Sequence, residues 1–416
     1  MNPLRGRRGF TLIELMVTLA VTMIVMGLVV MTVNAQQKAF SEGQRQRAAQ
    51  QSARSAMLYL QRELRLAGYG MDASLAFDFD RYRGPCPAEL DPCPRDATDN
   101  ADEIVFYHRN PMYWVPDDFT QEPRGNAWRI TNMDPAGNEV TVSARPGDTI
   151  LQGQVVQAVC RTAALYAYFT VERTVTADPS NVLTLPLLPV VASDPFRRQD
   201  AAADSCFDAG QARLFLIDRF RFHVRPVRDG ARWFPFLVLD RGVDVNGDGS
   251  VDEGDESLLA EGIEALQFSY VMTNPAMTVH GECPGDVIVM ERGWPGLPTG
   301  ADHLTLLDFP GVVQAGQSVY EPTSFYGYSV GPPATAMRNT DHQANIRAVR
   351  VFLRGRSPEA DRGFTGLKLG ESAVVLPFLN QDELPNWAAG DERYGRSNLT
   401  TTVALRNMIV RGMTDY

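Results

Sequence analysis

Hydrophobic and polar positions divide the chain into three regimes. Residues 10–33 are apolar apart from a single carboxylate, Glu14. At about 1.5 Å per helical residue this run reaches close to the ~30 Å of a bilayer core. Residues 34–67 follow a different pattern: Phe40, Ala49, Ala53, Ala56, Met57, Leu60, Leu64 and Ala67 recur at threes and fours, which marks one face of a helix. Arg45, Arg47, Arg54, Arg62, Glu63 and Arg65 fill the other faces. No proline interrupts residues 10–67, and Gly68-Tyr69-Gly70 supplies a stop. The pattern predicts one rod about 85–90 Å long. Its first half is greasy all round; its second half, to residue 70, is one-sided.

Beyond residue 70 the period shortens. Short β-branched or aromatic runs, separated by Gly, Pro, Asn and Asp, predict strands at 104–107, 128–131, 139–143, 165–171, 182–185, 214–217, 220–224 and 234–239. Residues 344–354 end in alternating apolar and basic positions, which predicts a strand with one wet face. Residues 84–102 read as an irregular, proline-rich polar loop, and 274–341, rich in Gly and Pro, as a long insertion or set of loops. The expected architecture is α+β: a long N-terminal α-helix packed by its second half on an antiparallel β-sheet, with large loop insertions.

Charge and cysteines change the picture next. The chain has 39 Lys and Arg against 50 Asp and Glu, a net charge of −11. Without Arg5, Arg7 and Arg8 the balance is 36 basic against 50 acidic, or −14. Phosphate recognition needs clustered Lys and Arg, so nucleic acid is not expected as a partner. Five cysteines suit an oxidising compartment. Cys86 and Cys93 flank a short proline-rich loop that a disulfide would bridge. Cys160 and Cys206 are the second candidate pair, and Cys283 is left over. Zinc is the competing reading of the close pair, but no second Cys or His pair lies nearby at ligand spacing. The five histidines (His108, His223, His280, His303, His342) are scattered singly. No nucleophile elbow, Walker loop or dinucleotide fingerprint appears, so no enzyme activity is expected.

The N-terminus carries the sharpest chemistry. Arg5, Arg7 and Arg8 precede Gly9 and hold this end cytoplasmic, so the chain after Val33 is exported. A secretory signal is cut after its apolar region at a small-residue site, and none follows directly here. The most accessible bond lies before the run, between Gly9 and Phe10, where glycine lets a protease approach the backbone. Cutting there discards residues 1–9 and bares an α-amine at Phe10. A carboxylate in a membrane segment costs a few kcal/mol or more unless paired. Glu14 of one subunit can pair with that amine on a neighbour. Gly9-Phe10-Thr11-Leu12-Ile13-Glu14 followed by an apolar run resembles the class III signal of type IV prepilins. The resemblance implies cutting by prepilin peptidase after Gly9, N-methylation of Phe10, and filament assembly through residues 10–33 and Glu14. The alternative is an uncleaved anchor.

Four further stretches, 58–69, 259–270, 346–353 and 400–407, resemble PilW-type minor pilins. That resemblance implies a pilin-like fold. It also implies an inner-membrane, single-pass intermediate whose head, residues 71–416, is exported to the periplasm and then displayed on a cell-surface pilus. Expected partners are major and other minor pilins and a tip adhesin, with a role in priming assembly. The minor pseudopilin of type II secretion shares much of this pattern and remains open.

One motif lies outside that pattern. Residues 244–255 read Asp-Val-Asn-Gly-Asp-Gly-Ser-Val-Asp-Glu-Gly-Asp. Oxygen donors at the first, third and fifth positions (Asp244, Asn246, Asp248), a glycine at the sixth, a backbone carbonyl from Ser250, Asp252 acting through water and Asp255 closing the shell describe a Ca2+ loop. Asp in place of Glu at the twelfth position resembles dockerin-like loops. The flanks do not make a full EF-hand: a strand-like run precedes, and only residues 256–260 could start a helix. A membrane-anchored, calcium-stabilised adhesive or binding module is therefore a second reading of the whole chain, and a solvated acidic turn is the alternative for the loop itself.

Overall fold

The computed structural model of the chain describes residues 11–78, 103–117, 121–160, 165–189, 196–197, 207, 211–229, 232–273, 287–289, 346–357, 394 and 396–409. The rod is a single α-helix, α1 (Leu12–Leu64), of 53 residues. Its buried face runs through Ala49, Ala53, Ala56, Met57, Leu60 and Leu64, and Ala67 just beyond the helix continues it. Phe40 departs from the expected stripe: it is 66% exposed, because the head covers the rod only from Ala49 onward. The helix also stops three residues earlier than expected. Leu66 and Ala67 amides turn back to Glu63 and Leu64 carbonyls, and Gly68 (φ 75°) brings its own amide to the Tyr107 carbonyl at 2.9 Å. A side chain is disfavoured at such a φ, so glycine sets this exit.

The strands are β1 (Ile104–Arg109), β2 (Tyr113–Trp114), β3 (Arg124–Gly125), β4 (Ala127–Met133), β5 (Glu139–Ser143), β6 (Thr149–Ile150), β7 (Val155–Cys160), β8 (Leu165–Thr170), β9 (Val175–Thr176), β10 (Val182–Pro186), β11 (Ala212–Asp229), β12 (Arg232–Asp240), β13 (Ser257–Glu261), β14 (Ile263–Thr273), β15 (Val287–Val289), β16 (Ile346–Arg356) and β17 (Arg396–Ala404). All their pairings are antiparallel. The larger sheet is built around β11, which pairs with β4 and β7 near its start and with β1 and β12 further on. A four-stranded sheet, β15-β14-β16-β17, follows from it through Gly262, whose amide reaches the Pro235 carbonyl at 2.7 Å.

Several sequence expectations are corrected. Runs 214–217 and 220–224 belong to one 18-residue strand. The polar Asp218 and Arg219 between them stay within it because each has a partner, Asn110 and Asp240 respectively. Residues 257–261 start no helix; they pair with β12. The wet face expected near residue 354 is dry: Arg354 is 3% exposed, its Nε donating to Asn398 Oδ1 at 2.8 Å. Beside it, buried Glu264 takes two hydrogen bonds from Arg396. Within the expected loop region 274–341 lies β15, paired with β14. The rest of that region, and all of 84–102 with Cys86 and Cys93, lie outside the described residues.

Two main cores result. The first joins α1 to β1, the second half of β11, β12, β13, β14, β16 and β17, with Leu60, Leu64, Phe106, Phe220, Phe222, Phe268 and Val351 at its centre. The second lies away from α1: β4, β5, β7, β8, β10 and the start of β11 enclose Ile130, Val142, Val156, Phe169, Leu185 and Leu214. Cys160 sits in the second core and is disulfide-bonded. Its partner is outside the described residues, as is Cys206, but Phe207 next to Cys206 is buried in the same cluster.

Leu60→Ala should therefore destabilise the head by about 2–5 kcal/mol. Exposed Leu58→Ala, on the same helix, should change stability by no more than about 0.5 kcal/mol. Chemical denaturation of the two variants side by side checks both values.

Candidate functional site

Two regions carry the sequence-derived site residues. At the head of the rod, Gly9 and Phe10 lie outside the described residues, and the description opens on Thr11. Thr11 is the N-cap, with extended backbone (φ −81°, ψ 150°). The Glu14 amide donates to Thr11 Oγ1 at 3.3 Å, while Glu14 Oε2 accepts from the Thr11 amide (3.1 Å) and hydroxyl (3.0 Å). This reciprocal pair satisfies helix-start amides that have no partner in the helix itself, and it puts the carboxylate at the positive end of the helix dipole. Glu14 thus has an intramolecular partner in the single chain. Thr11 was missed as a site residue, although the Thr-x-x-Glu spacing announces it.

The following run is continuous with this cap. The most apolar 18-residue window of the helical span Leu12–Ser41 has a mean hydropathy of 2.5, and none of its residues is buried against the head. Thr18, Thr22 and Thr32 return their hydroxyls to backbone carbonyls four residues earlier, at 2.7–2.8 Å. Their polar atoms are satisfied within the helix, as an apolar surrounding requires.

The second region is the loop 244–255 between β12 and β13. Gly247 (φ 78°) and Gly249 (φ 88°) give it its tight turns. Asp244, 2% exposed, accepts from the Gly247 and Gly249 amides (2.6 and 3.0 Å). Asn246 accepts from the Asp248 amide, Asp248 from the amide and hydroxyl of Ser250, and Asp252 from the Gly254 amide. Asp255 reaches back across the loop to the amides of Val245, Asn246 and Asp252. The Ser250 hydroxyl and amide hold the Asp248 carboxyl below the usual carboxylate range. Burial pushes Asp255 up, but the amides of Asn246, Asp252 and Val245 outweigh it and leave it low. All six sequence-derived residues lie on this loop, within twelve consecutive positions. Their carboxylates are committed to backbone amides, and among the described residues no three acidic, His or Cys side chains are gathered as a ready cation cluster.

A charged ladder that the sequence reading did not single out anchors this loop. Alternate residues of β11 point Arg219, Arg221, His223 and Arg225 away from the first core. Arg219 pairs with Asp240 (3.2 Å), and Arg221 with Glu103 (2.7 Å) and Asp240 (3.5 Å). Arg225 bridges Glu253 (2.8 Å) and Glu256 (2.9 Å) at the far end of the loop. The signal was the period-two spacing of cations within 219–225. Burial pushes Asp240 up, but Arg219, the Gly242 amide and Arg221 pull it below its ordinary value.

Neither described histidine builds a catalytic arrangement. His108 stacks on Phe220 with ring centroids 4.7 Å apart and lies 3.7 Å from Glu63. His223 lies 3.4 Å from Glu256. His280, His303 and His342 are outside the described residues.

With this geometry in place, comparison with known proteins adds one finding. Residues 4–30 match the prokaryotic N-terminal methylation motif. The match covers the arginines, Gly9, Phe10, Thr11, Glu14 and most of the apolar run. It supports a type IV pilin- or pseudopilin-like protein, a class processed by prepilin peptidase and assembled with other pilins. No curated protein and no solved structure matches the chain.

Burial, then the neighbouring Arg221, lowers the pKa of His223 to about 4 from its ordinary 6.5. The imidazole stays neutral in the fold where the unfolded chain takes up a proton. Its contribution to stability is therefore complete above pH 6.5 and is lost as pH falls from 6.5 toward about 4. Thermal melts across that window should fall, and His223→Gln should flatten that part of the profile.

Proposed function

We propose that the chain is a minor pilin of a type IV pilus, of PilW type, which helps to initiate assembly within a tip complex. One observation carries the reading most of the way. A single unbroken helix leaves its apolar first half wholly exposed and buries one face of its second half under an antiparallel head. A water-soluble monomer has no use for the first half. A subunit that waits in a bilayer and then joins a bundle of like helices uses both halves. In this reading Gly9 marks the cut, Phe10 the methylated amine, and Glu14 exchanges its Thr11 contacts for the Phe10 amine of a neighbour during assembly. Function lies in assembly and not in turnover. The minor pseudopilin of type II secretion would use the same parts.

The mature chain should begin at N-methylated Phe10, read by mass spectrometry. Glu14→Ala should remove it from sheared filaments, by tenfold or more if the neighbour contact supplies over about 1.4 kcal/mol. The head should stay folded, as judged by protease resistance. An intact residue 1, or normal assembly of Glu14→Ala, sinks the reading.

The loop 244–255 supports a further part of this proposal. Its donors are hard oxygens in the order a calcium loop requires, and its glycines adopt the turns. Asp244, Asn246, Asp248 and Asp255 would hold the ion directly, with the Ser250 carbonyl and with Asp252 through water. A bound Ca2+ would supply structural cross-linking. Calorimetry on the detergent-solubilised chain should show calcium binding at or below millimolar metal, and Asp244→Ala should abolish it. No heat at millimolar calcium leaves the loop a solvated acidic turn.

A further inference from the structure

Past its apolar run, α1 carries a second pattern on the side away from the head. Arg47, Gln51, Arg54, Leu58, Arg62 and Arg65 are all exposed and recur at threes and fours, so they form one ridge. Leu58, at its middle, is 67% exposed, and the Arg62 side chain is 79% exposed. The one acid between residues 43 and 65, Glu63, is buried beside His108, with one carboxylate oxygen 3.5 Å from the Arg62 guanidinium. The charge split is steep: residues 34–70 hold six basic and two acidic side chains, whereas 71–416 hold thirty basic and forty-seven acidic.

We propose that this ridge docks on the carboxylate-rich head of the adjoining pilin-type subunit in the filament. The inference rests on the pilin reading above. Rods that bundle through residues 12–33 lie side by side, so the face of α1 not covered by its own head turns toward neighbours. Lipid is the wrong occupant. Arg54, Arg62 and Arg65 lie roughly 30–50 Å along the axis past Val33, several Debye lengths of about 8 Å from a headgroup surface. By composition the head of this chain, with forty-seven acidic against thirty basic side chains, carries the charge that complements the ridge. Contacts between unlike patches are heterologous and propagate into open helical arrays, where like patches close into dimers. Leu58 supplies an apolar centre with charges around it, the usual anatomy of a protein–protein contact.

The test uses the full chain in cells that assemble filaments. Three changes are compared: Arg54→Glu with Arg62→Glu, Arg54→Lys with Arg62→Lys, and a photocrosslinking amino acid in place of Leu58. The Glu pair should lower the chain in sheared filaments at least about tenfold, while leader removal and membrane level stay as in wild type. The Lys pair should assemble normally. Crosslinks from position 58 should map to an acidic segment of a pilin-type subunit. Wild-type assembly of the Glu pair, failure of the Lys pair, or crosslinking to lipid, nucleic acid or nothing would overturn the proposal. A wild-type chain that is cut but never found in filaments overturns the pilin reading instead, and the ridge with it.

Discussion

Close approach between α1 and β16 is the contact on which the rest of the head depends. A Cβ on Gly355 would come within 3.0 Å of both the Ala49 carbonyl and the Ala53 methyl. The small residues on the helix and the missing side chain on the strand let the two backbones lie nearly in contact. Three polar ties then fix the rotation of the helix: Ser52 to the Glu261 carbonyl (2.6 Å), Gln61 to Thr401 (2.8 Å), and Asn407 to the Arg65 carbonyl (3.2 Å). Once rotation is fixed, so is the choice of which residues face outward. The arginines of the outer side hold their positions because Ala49, Ala53 and Ala56 hold theirs.

The same helix imposes an opposite demand in its first half. Each exposed Leu, Ile, Val or Met there forgoes about 1.5–3 kcal/mol that burial would provide. Water cannot be the lasting surroundings of such a surface, and the head does not extend to cover it. Lipid or other helices must. The polar atoms in this half already have partners within the helix, through the Thr11–Glu14 box and the returned threonine hydroxyls. It is therefore ready for an apolar surrounding, with one carboxylate whose partner can change.

The helix was legible because its two halves differ in period, and the periodic positions from Ala49 to Ala67 are the buried ones. Phe40 was misread because periodicity reports a face and not how far a partner extends. The strands around the second core were legible where β-branched residues alternate, as in β5. β7, buried along its whole length, was not read, since it lacks the alternation of a strand with one wet face; β16, in the first core, was read as a strand, but the burial of Arg354 on its expected wet face was not. Polar residues also masked continuity in β11, since a sequence does not announce that Asp218 and Arg219 have partners more than a hundred and about twenty positions away in the chain. In the loop 244–255 the donors and turns were legible. The amides that occupy those donors were not.

The placement of that loop gives it a mechanical meaning that its own residues do not reveal. It rests on the turn between β6 and β7, two strands of the second core: the Asp244 amide reaches the Gln152 carbonyl at 3.1 Å, and a Cβ on Gly153 would stand 3.2 Å from the Val251 methyl. Its last turn is tied through Glu253 and Glu256 to Arg225, on the half of β11 that backs the helix-bound core. Strand β11 is the backbone link between the two cores, and the loop is a side-chain link across the same joint. Anything that tightens residues 244–255, a cation above all, would stiffen one core against the other. Anything that loosens them would leave the joint to β11 and its neighbours.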